Sequence, residues 1–402
     1  MRHILPIVIL FFSTGCLQAG EEKKEPVLTG LDVLCREDFA PLHGLRVGLI
    51  TNHTGVDSRG RSNIGLFARS SELKLAALFT PEHGLDGIIE GEYGAGNLDS
   101  LQLPVYSLYG KVRKPEKVWL AGLDALVFDI QDIGARFYTY ITTLALCMQA
   151  ASEAKIGFYV LDRPNPVGGT KVEGPVLEQE LQGNFIAFYP IPIRHGMTVG
   201  ELARLFNAEF GIRVRLEVIP MQGWRRKMYS DQTGLQWINP SPNMRSLEAA
   251  ILYPGLGLSE ATNLSVGRGT DLPFELYGAP YVDGKKLSAA LKAHAIAGLV
   301  YRDTVFTPQA YQFKGERCEG VRAVVTDRDS LESVAAGLEL LGVLKSLYPD
   351  SFDLSRIDLW IGRREVKQQL GEGMPAEQII QSWQPELVRF KILREKYLLY
   401  DP

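Results

Sequence analysis

Two titratable residues, Glu82 and His83, follow an apolar run at 75–79 that has the length and composition of a buried strand. Thr80 and Pro81 end this run, because proline cannot donate a hydrogen bond to a sheet ladder. Burial would raise the pKa of the Glu82 carboxyl and suit it to general acid catalysis, with His83 orienting it or donating a proton directly. The alternative is a turn that carries a solvated glutamate.

Polar side chains also follow three other predicted strands, at 45–51, 125–130 and 157–161. The carboxyl ends of parallel strands share one edge of a sheet, and open α/β sheets bind their ligands at that edge. We therefore expect a site there, formed with Glu82 and His83 by Asn52, His53, Asp129, Asp132, Asp162 and Asn165.

A second carboxylate across a cleft from Glu82 would give the arrangement used for glycoside hydrolysis. The separation of the two carboxyl groups would decide between a retaining and an inverting outcome, and several residues qualify as the partner. These are Glu90, Glu92, Asp129, Asp132 and Glu260.

Three arginines in polar segments, Arg136, Arg194 (beside His195) and Arg268, could hold a substrate carboxylate through paired hydrogen bonds. The alternative for each is an internal salt bridge to a neighbouring acidic residue. Three such arginines together favour an anionic ligand. Aromatic residues in the same segments could stack on sugar faces or belong to the core; these are Tyr138, Tyr140 and Trp237.

Composition and missing motifs narrow the possible functions. The 402 residues are 46% hydrophobic and carry a net charge of −4, which predicts an ordinary globular protein and argues against a nucleic-acid partner. The segment after the first strand, NHTGVDSRG, is not a phosphate-binding loop, and the chain has no GxxxxGK[ST], HExxH or GxSxG motif. A cation held by Asp129, Asp132 and His195 is a minor alternative, and we expect no metal site.

Strands alternate with helices over about the first 200 residues of the folded part, which predicts an α/β fold with a Rossmann-like, doubly wound, mostly parallel sheet. Thr198 with Glu201 three residues later predicts the start of one helix. Beyond the four strands named above, this half has a predicted strand at 213–219 and a short strand or loop edge at 104–109. It also has predicted helices at 62–70, 136–154 and 198–210, and a long loop at 91–102.

The pattern changes near residue 236, where a proline-rich stretch at 237–245 indicates a crossing between domains. We predict a Rossmann-like first domain at 28–236 and a smaller, second α+β domain at 237–402. The second domain has predicted helices at 285–298 and 331–347, a strand at 321–326, and two short helical pieces between 376 and 400.

The N-terminus is typical of a targeting segment. Arg2 and His3 precede an apolar run at 4–12 that is too short to span a bilayer, and Cys16 follows small residues. This resembles a bacterial lipoprotein signal at 1–20 with Cys16 as the lipidated residue, and places the protein at the cell envelope, facing the periplasm. Ser13 stands where leucine is commonest, so ordinary cleavage to a soluble periplasmic product is the alternative.

A series of ordered motifs resembles the exo-β-N-acetylmuramidase family, whose domain was long catalogued as one of unknown function. The resemblance covers about residues 28 to 400, nearly the whole mature chain. The motifs are LITNHTG (49–55), FTPEHGLDG (79–87), LPVYSLYG (103–110), FDIQDIGARFYTYI (128–141), LDRPNP (161–166), IRHGMTVGE (193–201), PSPNM (240–244) and EATNLSVGRGTDLPF (260–274).

The resemblance implies release of terminal N-acetylmuramic acid from the non-reducing ends of peptidoglycan fragments, with Glu82 as acid or acid/base and His83 beside it. It also implies that the domain at 28–236 is catalytic and that the domain at 237–402 is an auxiliary domain that completes the cleft. It implies no nicotinamide, flavin or metal cofactor, and muramic acid's lactyl carboxylate would give the arginines a ligand. The rivals are a non-catalytic muropeptide-binding lipoprotein and a hydrolase of another cell-wall amide or ester bond. Substrate-binding candidates are Asn52, His53, Asp129, Asp132, Arg136, Asp162, Asn165, His195, Asn243, Glu260, Asn263, Arg268 and Asp271.

Overall fold

The first half of the chain forms a seven-stranded sheet in the computed structural model, which describes residues 26–88, 96–98 and 102–402. The spatial order of the strands is β3-β4-β2-β1-β5-β6-β7, and every neighbouring pair is parallel except β3 with β4. The prediction of a doubly wound, mostly parallel sheet is confirmed. The strands are β1 Arg46–Thr51, β2 Lys74–Thr80, β3 Gly96–Leu98, β4 Leu103–Ser107, β5 Ala125–Asp129, β6 Gly157–Leu161 and β7 Arg215–Ile219.

Helices cover both faces of this sheet, because the strands are apolar on both sides. Along β5, for example, Val127 packs in one hydrophobic cluster with Leu31 and Phe67, whereas Phe128 packs in another with Leu144 and others. The helices that supply these contacts are α1 Gly30–Arg36, α2 Asn63–Arg69, α3 Tyr140–Ala154 and α4 Val199–Glu209.

Of two predicted helix starts, one agrees with the structure and one does not. The capping box of Thr198 and Glu201 at the start of α4 is confirmed. The predicted helix at 136–154, in contrast, begins only at Tyr140. The backbone N–H of Arg136 donates to the Ile193 carbonyl. Residues 136–139, which the prediction placed in the helix, therefore form a loop at the site instead.

The second half of the chain contains a three-stranded antiparallel sheet with order β8-β10-β9, covered by helices. Only β10 was predicted. The strand β9 alternates buried with exposed positions in its first half. It was not predicted, because its polar residues interrupt the apolar run that indicates a strand. The elements are α5 Leu247–Leu256, β8 Leu276–Ala279, α6 Gly284–Ala293, β9 Leu299–Phe306, β10 Cys318–Val325, α7 Ser333–Leu347, α8 Ile357–Ile361, α9 Arg364–Gly371 and α10 Ala376–Arg394.

The prediction of two short helical pieces at the C-terminus is wrong, because α10 is one 19-residue helix that contains Pro385. Proline disfavours a helix interior by removing a hydrogen bond. Burial of Trp383, Leu387 and Phe390 on one face holds the helix together through this position.

One hydrophobic cluster runs through both halves of the chain, from Phe128 under the sheet to Trp383 in α10. The domain boundary at 236/237 therefore stays a prediction. Within the described ranges, no helix has the length and apolar character needed to cross a membrane. The predicted signal segment with Cys16, the candidates Glu90 and Glu92, and most of the predicted 91–102 loop lie outside the described residues, although 96–98 forms β3.

Candidate active site

Glu82 lies in the turn that follows β2, at the carboxyl edge of the sheet. Its Oε2 accepts a hydrogen bond of 2.7 Å from the Thr139 hydroxyl. Thr139 directly precedes α3 but forms no side-chain capping bond with that helix. Its hydroxyl serves the glutamate instead, which fixes one carboxylate oxygen of a half-buried side chain.

The backbone of His83 is in the left-handed region, with φ of 73°. Non-glycine residues rarely adopt a positive φ, and those that do concentrate at functional sites whose surroundings hold them in place. Gly87 has φ of 70°, and a Cβ there would lie 1.9 Å from the His53 ring. The turn after β2 thus depends on a close approach that only glycine permits.

A cavity of about 210 Å³ lies beside Glu82, between the sheet edge and the second half of the chain; we call it the Glu82 cavity. Among the described residues that line it, Glu82 and Glu260 are the carboxylates and Arg268 is the arginine. Its lining consists of Glu82, His83, Phe137, Tyr138, Thr139, Tyr140, Ile186, Ser241, Tyr253, Glu260, Arg268, Phe274 and Trp360.

Glu260 and Arg268 form an ion pair on the wall contributed by the second half of the chain. Arg268 Nη1 lies 3.3 Å from Glu260 Oε1, and the Tyr253 hydroxyl donates to Glu260 Oε2 at 3.1 Å. The Arg268 guanidinium also lies over the Tyr311 ring, 4.7 Å from its centre. The arginine side chain is 31% exposed and the glutamate 12%, so the pair faces the cavity with its positive end more accessible.

Two buried tyrosines that line the Glu82 cavity, Tyr140 and Tyr253, carry neutral hydroxyl groups. Desolvation, and the nearby Glu82 carboxylate, raise the pKa of Tyr140 far above its ordinary value. Desolvation and the Glu260 carboxylate do the same to the pKa of Tyr253. Both hydroxyls therefore stay protonated at any physiological pH and act as hydrogen-bond donors rather than as bases.

Three of the predicted substrate-binding residues hydrogen-bond to groups around the Glu82 cavity without lining it. These are Asn52, His53 and Asn243. Asn52 Nδ2 donates to the Tyr140 hydroxyl at 3.2 Å, and Asn243 Nδ2 donates to the Tyr311 hydroxyl at 3.0 Å. His53 Nε2 donates to the Asn239 carbonyl at 2.7 Å. These residues hold the tyrosines and the 239–243 segment, and none of them lines the cavity itself.

The acidic residues at the other strand ends do converge at one edge, as predicted, but they bind neighbouring protein groups. Asp129 is fully buried between Arg163 Nε, at 2.6 Å, and Asn63 Nδ2, at 2.7 Å. Asp162 accepts from the Thr198 and Tyr400 hydroxyls at 2.7 and 2.6 Å. These bonds stabilise the loops at the sheet edge and do not face the Glu82 cavity.

Asn165, Arg136 and Arg194 are also placed in the interior. Asn165 Nδ2 donates to the Met197 carbonyl at 3.0 Å. Arg194 forms a buried ion pair of 2.6 Å with Glu173, the internal salt bridge considered as its alternative. Arg136 is 1% exposed and donates to four backbone carbonyls. Of the three arginines predicted to hold an anion, Arg268 is the one that lines the Glu82 cavity.

Asp132 and His195 face each other in the protein interior without a hydrogen bond, at 3.8 Å between Oδ2 and Nε2. Burial raises the pKa of Asp132 to about 7, and burial with nearby arginines lowers the pKa of His195 to about 3. His195 is therefore neutral, and its Nδ1 accepts from the Met197 N–H at 3.2 Å. Neither residue lines the Glu82 cavity.

The raised pKa of Asp132 predicts a pH-dependent stability. Folded Asp132 keeps a proton up to about pH 7, whereas an ordinary carboxyl releases it near 3.8. Its contribution to stability is therefore complete below about pH 4 and is lost as the pH rises to about 7. Melting curves of the wild type and Asp132→Asn at pH 5 and pH 8 test this. The melting temperature of the variant, relative to that of the wild type, should be higher at pH 8 than at pH 5. A higher relative melting temperature at pH 5 would contradict the prediction.

Asn263 and Asp271, two further candidates, lie away from the Glu82 cavity. Asn263 Nδ2 donates to the Ser351 carbonyl at 2.7 Å, and its Oδ1 accepts from the Asp353 N–H at 2.9 Å. Asp271 is exposed, and it is Glu260 that forms the ion pair with Arg268. Asn263 thus fastens the loop after the 3₁₀ turn at 257–261 to the chain at 351–353.

Sequence reasoning gave no individual role to seven residues that line the Glu82 cavity, namely Phe137, Thr139, Ile186, Ser241, Tyr253, Phe274 and Trp360. Thr139 lies within the FDIQDIGARFYTYI motif, in the first turn of the helix predicted at 136–154. Tyr253 lies in α5, which was not predicted. Trp360 in α8 is about 280 residues from Glu82 in the chain, and no local signal indicates such a contact.

A doubly wound sheet with two glutamates around a cavity at its carboxyl edge defines an α/β protein that has the groups a glycoside hydrolase uses. Residues 47–248 match the family described as exo-beta-N-acetylmuramidase NamZ, N-terminal, and residues 251–400 match its C-terminal counterpart. The chain therefore belongs to the NamZ family of exo-beta-N-acetylmuramidases, which are glycosidases.

Similar proteins extend over almost the whole chain. The peptidoglycan beta-N-acetylmuramidase NamZ of Bacillus subtilis is 44% identical over 383 residues, covering 94% of this chain and 92% of the relative. A crystal structure of a DUF1343 family protein from Bacteroides fragilis has a TM-score of 0.88 at 37% identity. A second such protein from the same organism has a TM-score of 0.77 at 29% identity. Each of the two covers 94% of this chain and is itself covered over 99% of its length.

Proposed function

We propose that this protein is an exo-acting glycoside hydrolase that releases terminal N-acetylmuramic acid from the non-reducing ends of peptidoglycan fragments. The observation that carries the proposal is the position of Glu82, held by Thr139 in a cavity shared with Glu260 and Arg268. Membership in the NamZ family supports the reaction and the substrate class. Efficient hydrolysis of a chromogenic N-acetylmuramoside, with much slower hydrolysis of the matching N-acetylglucosaminide, is the expected result.

In this proposal Glu82 is the general acid or acid/base. The Thr139 hydroxyl donates to Oε2, so this oxygen is the acceptor and the other oxygen carries the proton for the leaving group. Proton transfer to the glycosidic oxygen would release the leaving group as an alcohol. The anomeric carbon of the terminal sugar would then bond to the oxygen of a water molecule, either directly with the second carboxylate as base or after attack by that carboxylate.

Glu260 is our candidate for the second catalytic group. It is the other described carboxylate that lines the cavity, and it comes from the opposite half of the chain. The Tyr253 hydroxyl and Arg268 both stabilise its ionised form. An ionised carboxylate opposite a protonated one is the pairing that glycoside hydrolysis requires.

Arg268 is our candidate reader of the lactyl carboxylate that distinguishes muramic acid from glucosamine. A charge-assisted hydrogen bond contributes about 1.5–3 kcal/mol, or roughly ten- to a hundred-fold in binding. Loss of the ion pair with Glu260 would affect both substrates alike, so we expect Arg268→Ala to lower the ratio of kcat/KM on the muramoside to kcat/KM on a poor glucosaminide substrate by that factor. Arg268→Lys should recover part of it, because an ammonium group lacks the planar fork.

The matched control for Arg268 is the neighbouring Asp271→Asn, which should leave both substrates unaffected because Asp271 is exposed and Arg268 is paired with Glu260. If Asp271→Asn reproduces the Arg268 defect, the arginine acts by holding the loop. An unchanged ratio of the two kcat/KM values in Arg268→Ala would also rule out the carboxylate-reading role.

We further propose attachment to the membrane through a lipid on Cys16, with the folded domains facing the periplasm. The support is the short apolar leader that ends in STGC. Cells fed a clickable fatty acid should show label in the wild-type protein and none in Cys16→Ser. An unlabelled, soluble mature protein that begins near Ala19 would point to ordinary signal cleavage instead.

A further inference from the structure

A second cavity, of about 240 Å³, opens at the same edge of the sheet and plays no part in the proposed reaction. The loop after β1, at 54–60, forms one wall, and the loop after β6, at 163–166, forms another. The segment 230–240, which leads out of the first half of the chain, closes it. We call it the switch-point cavity.

The topology of the sheet singles out this position. The chain goes from β1 to β2 on one side, and later returns to place β5 on the other side of β1. The winding direction therefore reverses between β1 and β5, and open α/β sheets bind ligands in the crevice that this reversal leaves. The Glu82 cavity, in contrast, lies at the neighbouring end of β2.

The switch-point cavity offers cationic groups for an acid. Arg163 lines it and uses Nε for Asp129 and Nη2 for the Val56 carbonyl. Its Nη1 takes part in neither of these bonds, and the side chain is 5% exposed. Arg59 adds an exposed guanidinium at the rim, while the lining carboxylate of Asp57 is already neutralised by Arg61 at 2.6 Å.

The same cavity offers an aromatic surface beside these cations. Trp237 lines it, and the indole Nε1 donates to Asn239 Oδ1 at 3.0 Å, which fixes the ring. The C–H face of a pyranose packs well against such a ring, while its hydroxyls need polar partners such as Ser230 and Gln236, which also line the cavity. A ring, a cation and several hydrogen-bonding groups together suit a sugar acid.

Only a thin segment separates the two cavities. Pro240 lines the switch-point cavity, and the next residue, Ser241, lines the Glu82 cavity. The Pro240 carbonyl accepts from the Tyr140 hydroxyl at 2.6 Å, and the Asn239 carbonyl accepts from His53 Nε2 at 2.7 Å. The segment between the two cavities is thus hydrogen-bonded directly to Tyr140, which lines the Glu82 cavity.

We propose that the switch-point cavity is a second subsite, which binds one carboxylate-bearing N-acetyl sugar. The choice of sugar acid rests on the proposed function, and the cavity volumes of about 240 and 210 Å³ show that both sites offer room of similar size. Two sources carry this chemistry: the released monosaccharide, and a sugar residue within a longer fragment. Arg163 Nη1 and Arg59 bind the carboxylate, and Trp237 packs against the ring.

Hydrogen-exchange mass spectrometry on the full-length Glu82→Gln variant tests this subsite, because that substitution keeps fragments intact. N-acetylmuramic acid should slow exchange in segments 54–60 and 230–238, and N-acetylglucosamine at equal concentration should not. Arg59→Ala, an exposed position, should weaken this protection about three- to tenfold. The exposed Arg36→Ala in α1, which lines neither cavity, should not.

The outcomes separate this subsite from the proposed function. Protection by the monosaccharide identifies released sugar as the ligand, and protection only by a muramic-acid-terminated disaccharide identifies the fragment. Protection confined to 137–140 and 260–268 would overturn the subsite and leave the hydrolase intact, and equal protection by N-acetylglucosamine would also overturn it. Protection at 54–60 in a wild type that fails to hydrolyse the muramoside would refute the hydrolase alone.

Discussion

Glu82→Gln should lower kcat on an N-acetylmuramoside by about a hundred- to ten-thousand-fold, the usual loss when a general acid is removed. Glutamine has nearly the same shape, and its carbonyl oxygen can still accept the 2.7 Å hydrogen bond from Thr139. The melting temperature should therefore stay close to that of the wild type. Steady-state kinetics and a thermal melt on the same preparation provide the comparison.

A matched control for this substitution is Glu116→Gln, at an exposed glutamate outside the Glu82 cavity. We expect it to retain full activity. If Glu82→Gln keeps near-normal turnover, the catalytic assignment is wrong. If it loses activity together with ten or more degrees of melting temperature, roughly the shift expected for several kcal/mol, Glu82 supports the fold instead.

Arg136→Met should destabilise the protein strongly, by about 3–5 kcal/mol, because four backbone carbonyls lose the side chain that donates to them. Arg136 Nη1 donates to the carbonyls of Pro175 and Ile191 at 2.8 and 2.9 Å. Its Nη2 donates to those of Trp360 and Ile361 at 3.0 and 2.8 Å. Methionine satisfies none of these acceptors, and an unpaired buried carbonyl costs about 1–3 kcal/mol.

The same arginine joins the sheet half of the chain to α8, whose Trp360 lines the Glu82 cavity. We therefore expect a melting temperature lower by about 5–10 °C, with activity lost as the protein unfolds. The control is Arg389→Met, because the Arg389 side chain is 68% exposed and its ion pair with Glu386 lies at the surface. A normal melting curve with a raised KM for the muramoside would instead return Arg136 to the substrate-binding role predicted from sequence.

Local patterns were enough to predict the architecture of the first half of the chain. Buried parallel strands are continuous apolar runs, so stretches such as LRVGLIT and ALVFDI identified β1 and β5 directly. The capping box at Thr198 marked the start of α4 for the same reason, since it is written in four consecutive residues. The second half was harder, because β9 carries Arg302 and Asp303 in mid-strand and α10 contains a proline.

The position of the site was predictable, but the sequence did not show which of its polar residues line the cavity and which bind other protein groups. Strand order places the ends of β1, β2, β5 and β6 at one edge, which the alternation of elements already indicated. Whether a polar group there meets solvent or another side chain depends on contacts across the chain. Asp129 meets Arg163, 34 residues away in the chain, whereas Glu82 meets Thr139 and an open cavity. Sequence spacing cannot distinguish these two cases.

The most direct test of the account is to digest defined peptidoglycan oligosaccharides with the purified wild-type protein and identify the released sugars by mass spectrometry. We predict free N-acetylmuramic acid, one residue at a time, from fragments with muramic acid at the non-reducing end, and nothing from fragments that end in N-acetylglucosamine. Glu82→Gln, run in parallel, should release almost none. Release of N-acetylglucosamine, cleavage at internal bonds, or no release from muramic-acid-terminated fragments would contradict the account.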